Sequence, residues 1–130
     1  MGAAVGLALV ASPSATAHRD AQVSLCIPFY KGGPCPKKND PAPSYYYGKR
    51  IPVKGRVKPR HDGTVRIQRR KGEQPWRTVA KRAVDEDGRY RYEWQTRRRH
   101  ADQGRPYKFR AVFPGHDKSR VKKVFVLLFE

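Results

Sequence analysis

At 130 residues the chain has room for one domain and short appendages, and 29 basic residues against 11 acidic ones give it a formal net charge of +18. Such a balance favours anionic partners (nucleic acid, acidic lipid surfaces, anionic envelope polymers or an acidic protein surface) and says nothing about fold. Hydrophobic residues are 38% of the chain, but they are regularly spaced and aromatic-rich, which excludes simple disorder.

The first 17 residues hold no charge. An apolar run from Ala3 to Ala11 precedes Pro13 and then Ala15-Thr16-Ala17, the apolar core and small-x-small cleavage pattern of a signal peptide. The run is far shorter than the roughly 20 residues of a transmembrane span. A signal peptide over residues 1–17 and a secreted or cell-wall-associated product are therefore expected. The basic segment that normally opens such a signal is missing, so the true start is expected upstream of Met1.

Residues 18–48 read as a loop-like extension followed by a Pro-rich linker. Cys26 and Cys35 are the only cysteines, and Pro28, Gly32, Gly33 and Pro34 lie in the turn-rich loop between them. An even count in an exported chain predicts a disulfide. Two thiols and a distant histidine do not supply the ligands of a zinc site, and no metal or cofactor is expected. Tyr45-Tyr46-Tyr47 closes the extension as an edge strand or an arm lying on the domain.

From Lys49 onward short alternating segments follow one another with turns between them. Arg50–Lys58 carries Ile51, Val53 and Val57. Asp62-Gly63 turns the chain into Thr64–Arg70, where Val65 and Ile67 alternate with Arg66 and Gln68. Trp76–Val84 breaks alternation around Val79-Ala80, which predicts a bulge. After Asp85-Glu86-Asp87-Gly88, the residues Tyr90, Tyr92 and Trp94 share one strand face and Arg89, Arg91 and Glu93 the other. Residues 97–104 read as a basic loop, Tyr107–Phe113 as a fifth alternating segment and Val121–Phe129 as the last strand. No repeat and no capped helix is visible.

Strands with one apolar face each must bury those faces against one another. The expectation is an all-β, immunoglobulin-like antiparallel sandwich of about six to seven strands over residues 49–130, with an oligonucleotide-binding-type barrel as the alternative. Val53-Lys54-Gly55-Arg56-Val57, Gly63–Arg70, Trp76–Ala80, Asp85–Tyr90 and Tyr107–Gly115 together resemble the bacterial Ig-like and carboxypeptidase-regulatory-like β-sandwich modules of secreted proteins from high-GC Gram-positive bacteria. The resemblance covers about residues 49 to 127. It implies a sandwich in an extracellular setting and an accessory or binding role without catalytic residues. The cysteine-bearing extension is not part of that pattern.

No catalytic motif accompanies this frame. Asp85-Glu86-Asp87-Gly88 reads as a hairpin turn, since a calcium loop started at Asp85 would require a bidentate Glu where Thr96 stands. A ribonuclease-like enzyme or toxin would have to draw on Glu93 with His100 or His116 and Arg110. Basic clusters are the stronger signal: Lys37-Lys38, Arg69-Arg70-Lys71, Lys122-Lys123 and the set Arg66, Arg89, Arg91, Arg97, Arg98, Arg99, Lys108 and Arg110. The set is the candidate polyanion-binding surface, with Arg89, Arg91, Lys108 and Arg110 expected on one sheet face. The expected function is a secreted non-catalytic interaction module associating with anionic envelope polymers or a partner protein. Extracellular nucleic-acid binding is the first alternative, although only Tyr45, Tyr46 and Tyr47 read as exposed stacking residues.

Overall fold

The computed structural model describes residues 21–128, so the expected signal peptide lies outside the described residues. Eight strands follow one another: β1 (Gln22–Val23), β2 (Ser44–Tyr46), β3 (Arg50–Lys58), β4 (Thr64–Lys71), β5 (Arg77–Ala83), β6 (Arg89–Gln95), β7 (Asp102–Val112) and β8 (Lys122–Leu127). They form two sheets, one of three strands in the order β1-β3-β6 and one of five in the order β2-β8-β7-β4-β5. The pairs are antiparallel except β2 against β8. The chain is thus an all-β sandwich.

The period-two pattern decides which side chains lie between the sheets. From the three-stranded sheet come Val23, Ile51, Val53, Val57, Tyr90 and Trp94; from the five-stranded sheet come Val65, Ile67, Phe109, Ala111, Val124 and Val126, all buried. Trp94 joins the two layers, with its ring centre 5.5 Å from that of Phe109 and 4.9 Å from that of Tyr107. The expected bulge is at Val79, where the register passes from Ile67 opposite Ala80 to Gln68 opposite Thr78.

Two segments differ from the sequence-based expectation. The residues ahead of Lys49 are not loop throughout. Ala21, Val23, Leu25 and Ile27 alternate into the core, and the backbone of Ser24 and Cys26 bonds to Arg56 and Lys54 of β3. Tyr45 enters from β2 and donates its hydroxyl to the Pro28 carbonyl at 2.7 Å, closing that side of the sandwich. Alternation was there to be read, but short segments among Pro and Gly carried it. The second difference is β7, which begins at Asp102, inside the segment expected to be loop. A single 3-10 turn, Arg98–His100, carries the chain into it from β6.

Cys26 and Cys35 form a disulfide that ties the end of the N-terminal strand to the start of the Pro-rich stretch. Closing so short a loop restricts the unfolded chain. The double variant Cys26→Ser/Cys35→Ser is expected to lose about 2–3 kcal/mol of unfolding free energy in urea titrations while keeping its β-sheet circular dichroism.

Candidate polyanion-binding surface

Because inward positions are apolar, the basic residues of each strand fall on the outward rows, and register decides which meet. In the three-stranded sheet Lys54 stands directly opposite Arg91, and Arg56 opposite Arg89. Facing cations on an antiparallel pair repel, at a cost of a few tenths of a kcal/mol or more. Glu93 is the carboxylate on this face; it lies 3.7 Å from Arg91, 3.7 Å from Lys31 and 3.9 Å from Arg50. Pairs at this distance and exposure are worth little. An open groove of about 740 Å³ borders this face, lined by its Lys54, Arg56, Arg89 and Arg91 together with Arg82 of β5 in the other sheet. Asp85 also borders it, but its Oδ1 accepts the backbone N–H groups of Arg89 and Asp87 at 2.8 and 2.9 Å. These bonds, that from Arg89 foremost, hold its carboxyl below the usual range. The Asp85–Gly88 segment is thus a tight turn whose carboxylate is engaged by the backbone, and it carries the chain from β5 in one sheet to β6 in the other instead of closing the expected hairpin.

The outward rows of the five-stranded sheet repeat the pattern. Arg66 faces Lys81, Arg70 faces Lys108, and Lys108 faces Lys123. Trp76 stands among them, with the guanidinium of Arg110 4.4 Å and that of Arg70 4.6 Å from its ring centre. Gln68 accepts from Nε of Arg110 at 2.7 Å, and Glu73 reaches Lys108 at 3.3 Å and Arg70 at 3.6 Å. Cation–π contact and the glutamine fix the direction of Arg110, so less side-chain freedom is left to lose on binding an anion.

The eight expected polyanion-binding residues therefore divide into three groups. Arg89 and Arg91 lie on the outer face of the three-stranded sheet, and Arg66, Lys108 and Arg110 on the outer face of the five-stranded one. Arg97, Arg98 and Arg99 are exposed on the turn between β6 and β7, at one end of the sandwich. The single face expected for Arg89, Arg91, Lys108 and Arg110 does not form, because β6 pairs with β3 while β7 pairs with β4 and β8. Lys54, Arg56, Lys81 and Trp76 belong with these rows and were missed, although Lys54 and Arg56 alternate with Val53 and Val57 as plainly as Arg89 and Arg91 do with the aromatics.

The run Arg69-Arg70-Lys71 is also divided. Arg69 is in phase with Val65 and Ile67 and turns inward, its guanidinium 4.5 Å from the centre of the Trp94 ring. Burial lowers its pKa, and the charges of Arg77 and Arg99 add to that. His100 is buried beside it, 4.9 Å from Trp94 between ring centres, and its Nδ1 accepts the Arg97 N–H at 2.9 Å. Burial, and then the charges of Arg69, Arg99, Arg97 and Lys71, push its pKa down to about 4.

The groups required for the enzymatic alternative are not brought together. Glu93 is on one outer face, Arg110 on the other, and His100 is inside at one end. His116 lies in the β7–β8 loop, where its Nδ1 accepts the Ala21 N–H at 3.3 Å. Among the described residues no three His, Cys, Asp or Glu side chains are grouped as metal ligands, and no helix is long and apolar enough to cross a membrane.

Two outcomes follow from these charges. His100 is neutral in the fold, and its pKa lies below the ordinary 6.5 that it regains on unfolding. Its contribution is therefore complete above pH 6.5 and is lost as pH falls to about 4. Urea unfolding across that window should show the loss, and His100→Asn, whose Oδ1 replaces Nδ1 as acceptor, should flatten it. Arg89→Thr, which relieves one facing pair, should leave the unfolding free energy unchanged or raise it by about 0.5 kcal/mol at low salt.

No protein-family model and no curated protein matches the chain. A chain of a solved structure described as "Structural basis of T cell specificity and activation by the bacterial superantigen toxic shock syndrome toxin-1" is similar in fold, with a TM-score of 0.52 at 12% identity. The match covers 82% of this chain and 99% of that chain, and the likeness is one of fold alone.

Proposed function

We propose that this protein is a secreted, non-catalytic, immunoglobulin-like interaction module that holds anionic polymers of the cell envelope. The observation that carries the reading is the opposition of cation to cation across the outward rows, most clearly Lys54–Arg91 and Arg56–Arg89. A strand pair that only needs solubility gains nothing from facing like charges, whereas a surface that receives a polyanion has them relieved on binding. The Cys26–Cys35 bridge and the apolar, small-x-small start of the chain support export. The resemblance to extracellular sandwich modules supports a binding role.

Nucleic acid is the second reading, and Trp76 is what favours it, as an outward aromatic among cations. Retention of the full exported chain on beads of poly(glycerol phosphate) and of single-stranded DNA, across a sodium chloride series, separates the two. Retention on poly(glycerol phosphate) is expected to persist near 0.15 M salt, with log affinity falling linearly in log salt. Persistent retention on DNA alone would favour the second reading. Loss from both well below that salt would contradict polyanion binding.

A further inference from the structure

Resting on the polyanion-binding reading, we infer that the domain is bivalent: its two sheet faces each take a separate linear phosphodiester chain, so that one molecule bridges two polymer strands. The inference comes from the division of the cations between the two sheets. Lys54, Arg56, Arg89 and Arg91 lie outward on the three-stranded sheet, and Arg66, Lys81, Lys108 and Lys123 outward on the five-stranded one. Buried Trp94, Phe109 and their neighbours fill the space between the sheets. The two faces are thus turned away from each other across about 10 Å of core, with side chains beyond on each side.

Each face has the geometry of a track rather than of a point site. Same-face residues along a strand recur about every 6.6 Å, and the facing residue on the neighbouring strand lies about 5 Å away, so each set forms rows of charge that an extended chain of phosphodiesters can follow. Polymer without bases suits these rows better than nucleic acid does. Trp76, the aromatic among these rows, is already engaged by two guanidiniums. Among the described residues the large apolar side chains that remain exposed are Tyr30, Tyr47, Val121 and Leu128, and the two aromatics of these, Tyr30 and Tyr47, lie outside the strands that carry the cation rows. Recognition on both faces therefore falls to the anionic backbone, supplied by poly(glycerol phosphate).

Bridging is tested by loading the full exported chain on bead-bound poly(glycerol phosphate), washing, and adding a fluorescent second poly(glycerol phosphate). The natural sequence is expected to capture the second polymer. A variant with Lys54, Arg56, Arg89 and Arg91 changed to Gln, and one with Arg66, Lys81, Lys108 and Lys123 changed to Gln, should each still load on the beads. Each should capture about tenfold less of the second chain. A control with the same charge loss spread over both faces (Lys54, Arg56, Arg66 and Lys81 to Gln) should retain most of the capture. Equal capture by the one-face variants and the control would overturn bivalency and leave bulk charge neutralisation or self-association as the cause. Loading of the natural sequence without capture would also overturn it. Failure to load at all would instead refute the polyanion reading, and capture of single-stranded DNA with no loading on poly(glycerol phosphate) would refute the choice of polymer.

Discussion

The one-residue phase between apolar and cationic positions is the constraint on which both halves of this structure depend. In β6 the residues Tyr90, Tyr92 and Trp94 can enter the space between the sheets only if Arg89, Arg91 and Glu93 leave it. The same holds for Phe109 and Ala111 against Lys108 and Arg110 in β7. A slip of one residue in either strand would bury two cations and expose the aromatics. Packing thus fixes the register, and the register then sets cation against cation on the outer faces.

Repulsion on those faces is tolerated because the interior is strongly apolar. Val65, Ile67, Ile51, Val53, Val124 and Val126 are fully buried around the Trp94–Phe109 contact. Where cations do turn inward, aromatic rings receive them: Arg69 lies on Trp94, and Lys71 is 5.6 Å from the centre of the Tyr107 ring. His100 is held neutral in the same neighbourhood by burial and by those charges. Acidic groups are few, and several are occupied locally. Asp85 serves its turn, and Asp102 is held at a pKa of about 2, chiefly by its bond from Lys71 and the N–H of Gly104.

Alternation makes much of this legible in the sequence alone. The bounds of β3 and β6, the bulge near Val79 and the cysteine pair could all be read from spacing and turn residues. Pairing could not. Whether Arg89 and Lys108 share a face depends on which strands are neighbours, and nothing in a period of two reports that. The N-terminal strand was hidden for another reason: Ala21, Val23, Leu25 and Ile27 alternate, but the Pro- and Gly-rich stretch behind them outweighed four short residues. Arg69 shows the remaining limit, since a run of three basic residues reads as one cluster until the strand face of each is followed.

Repulsion between facing cations, only partly offset by Glu73 and Glu93, shapes both outer faces, and the salt dependence of stability tests it without a ligand. Unfolding free energy of the full chain would be measured by urea titration from about 0.01 M to about 0.15 M sodium chloride, over which the screening length shortens from about 30 to about 8 Å. If the outward rows repel as their register implies, stability rises steadily across that range. Stability that stays flat or falls would mean that the facing cations are already compensated in the free protein and do not repel.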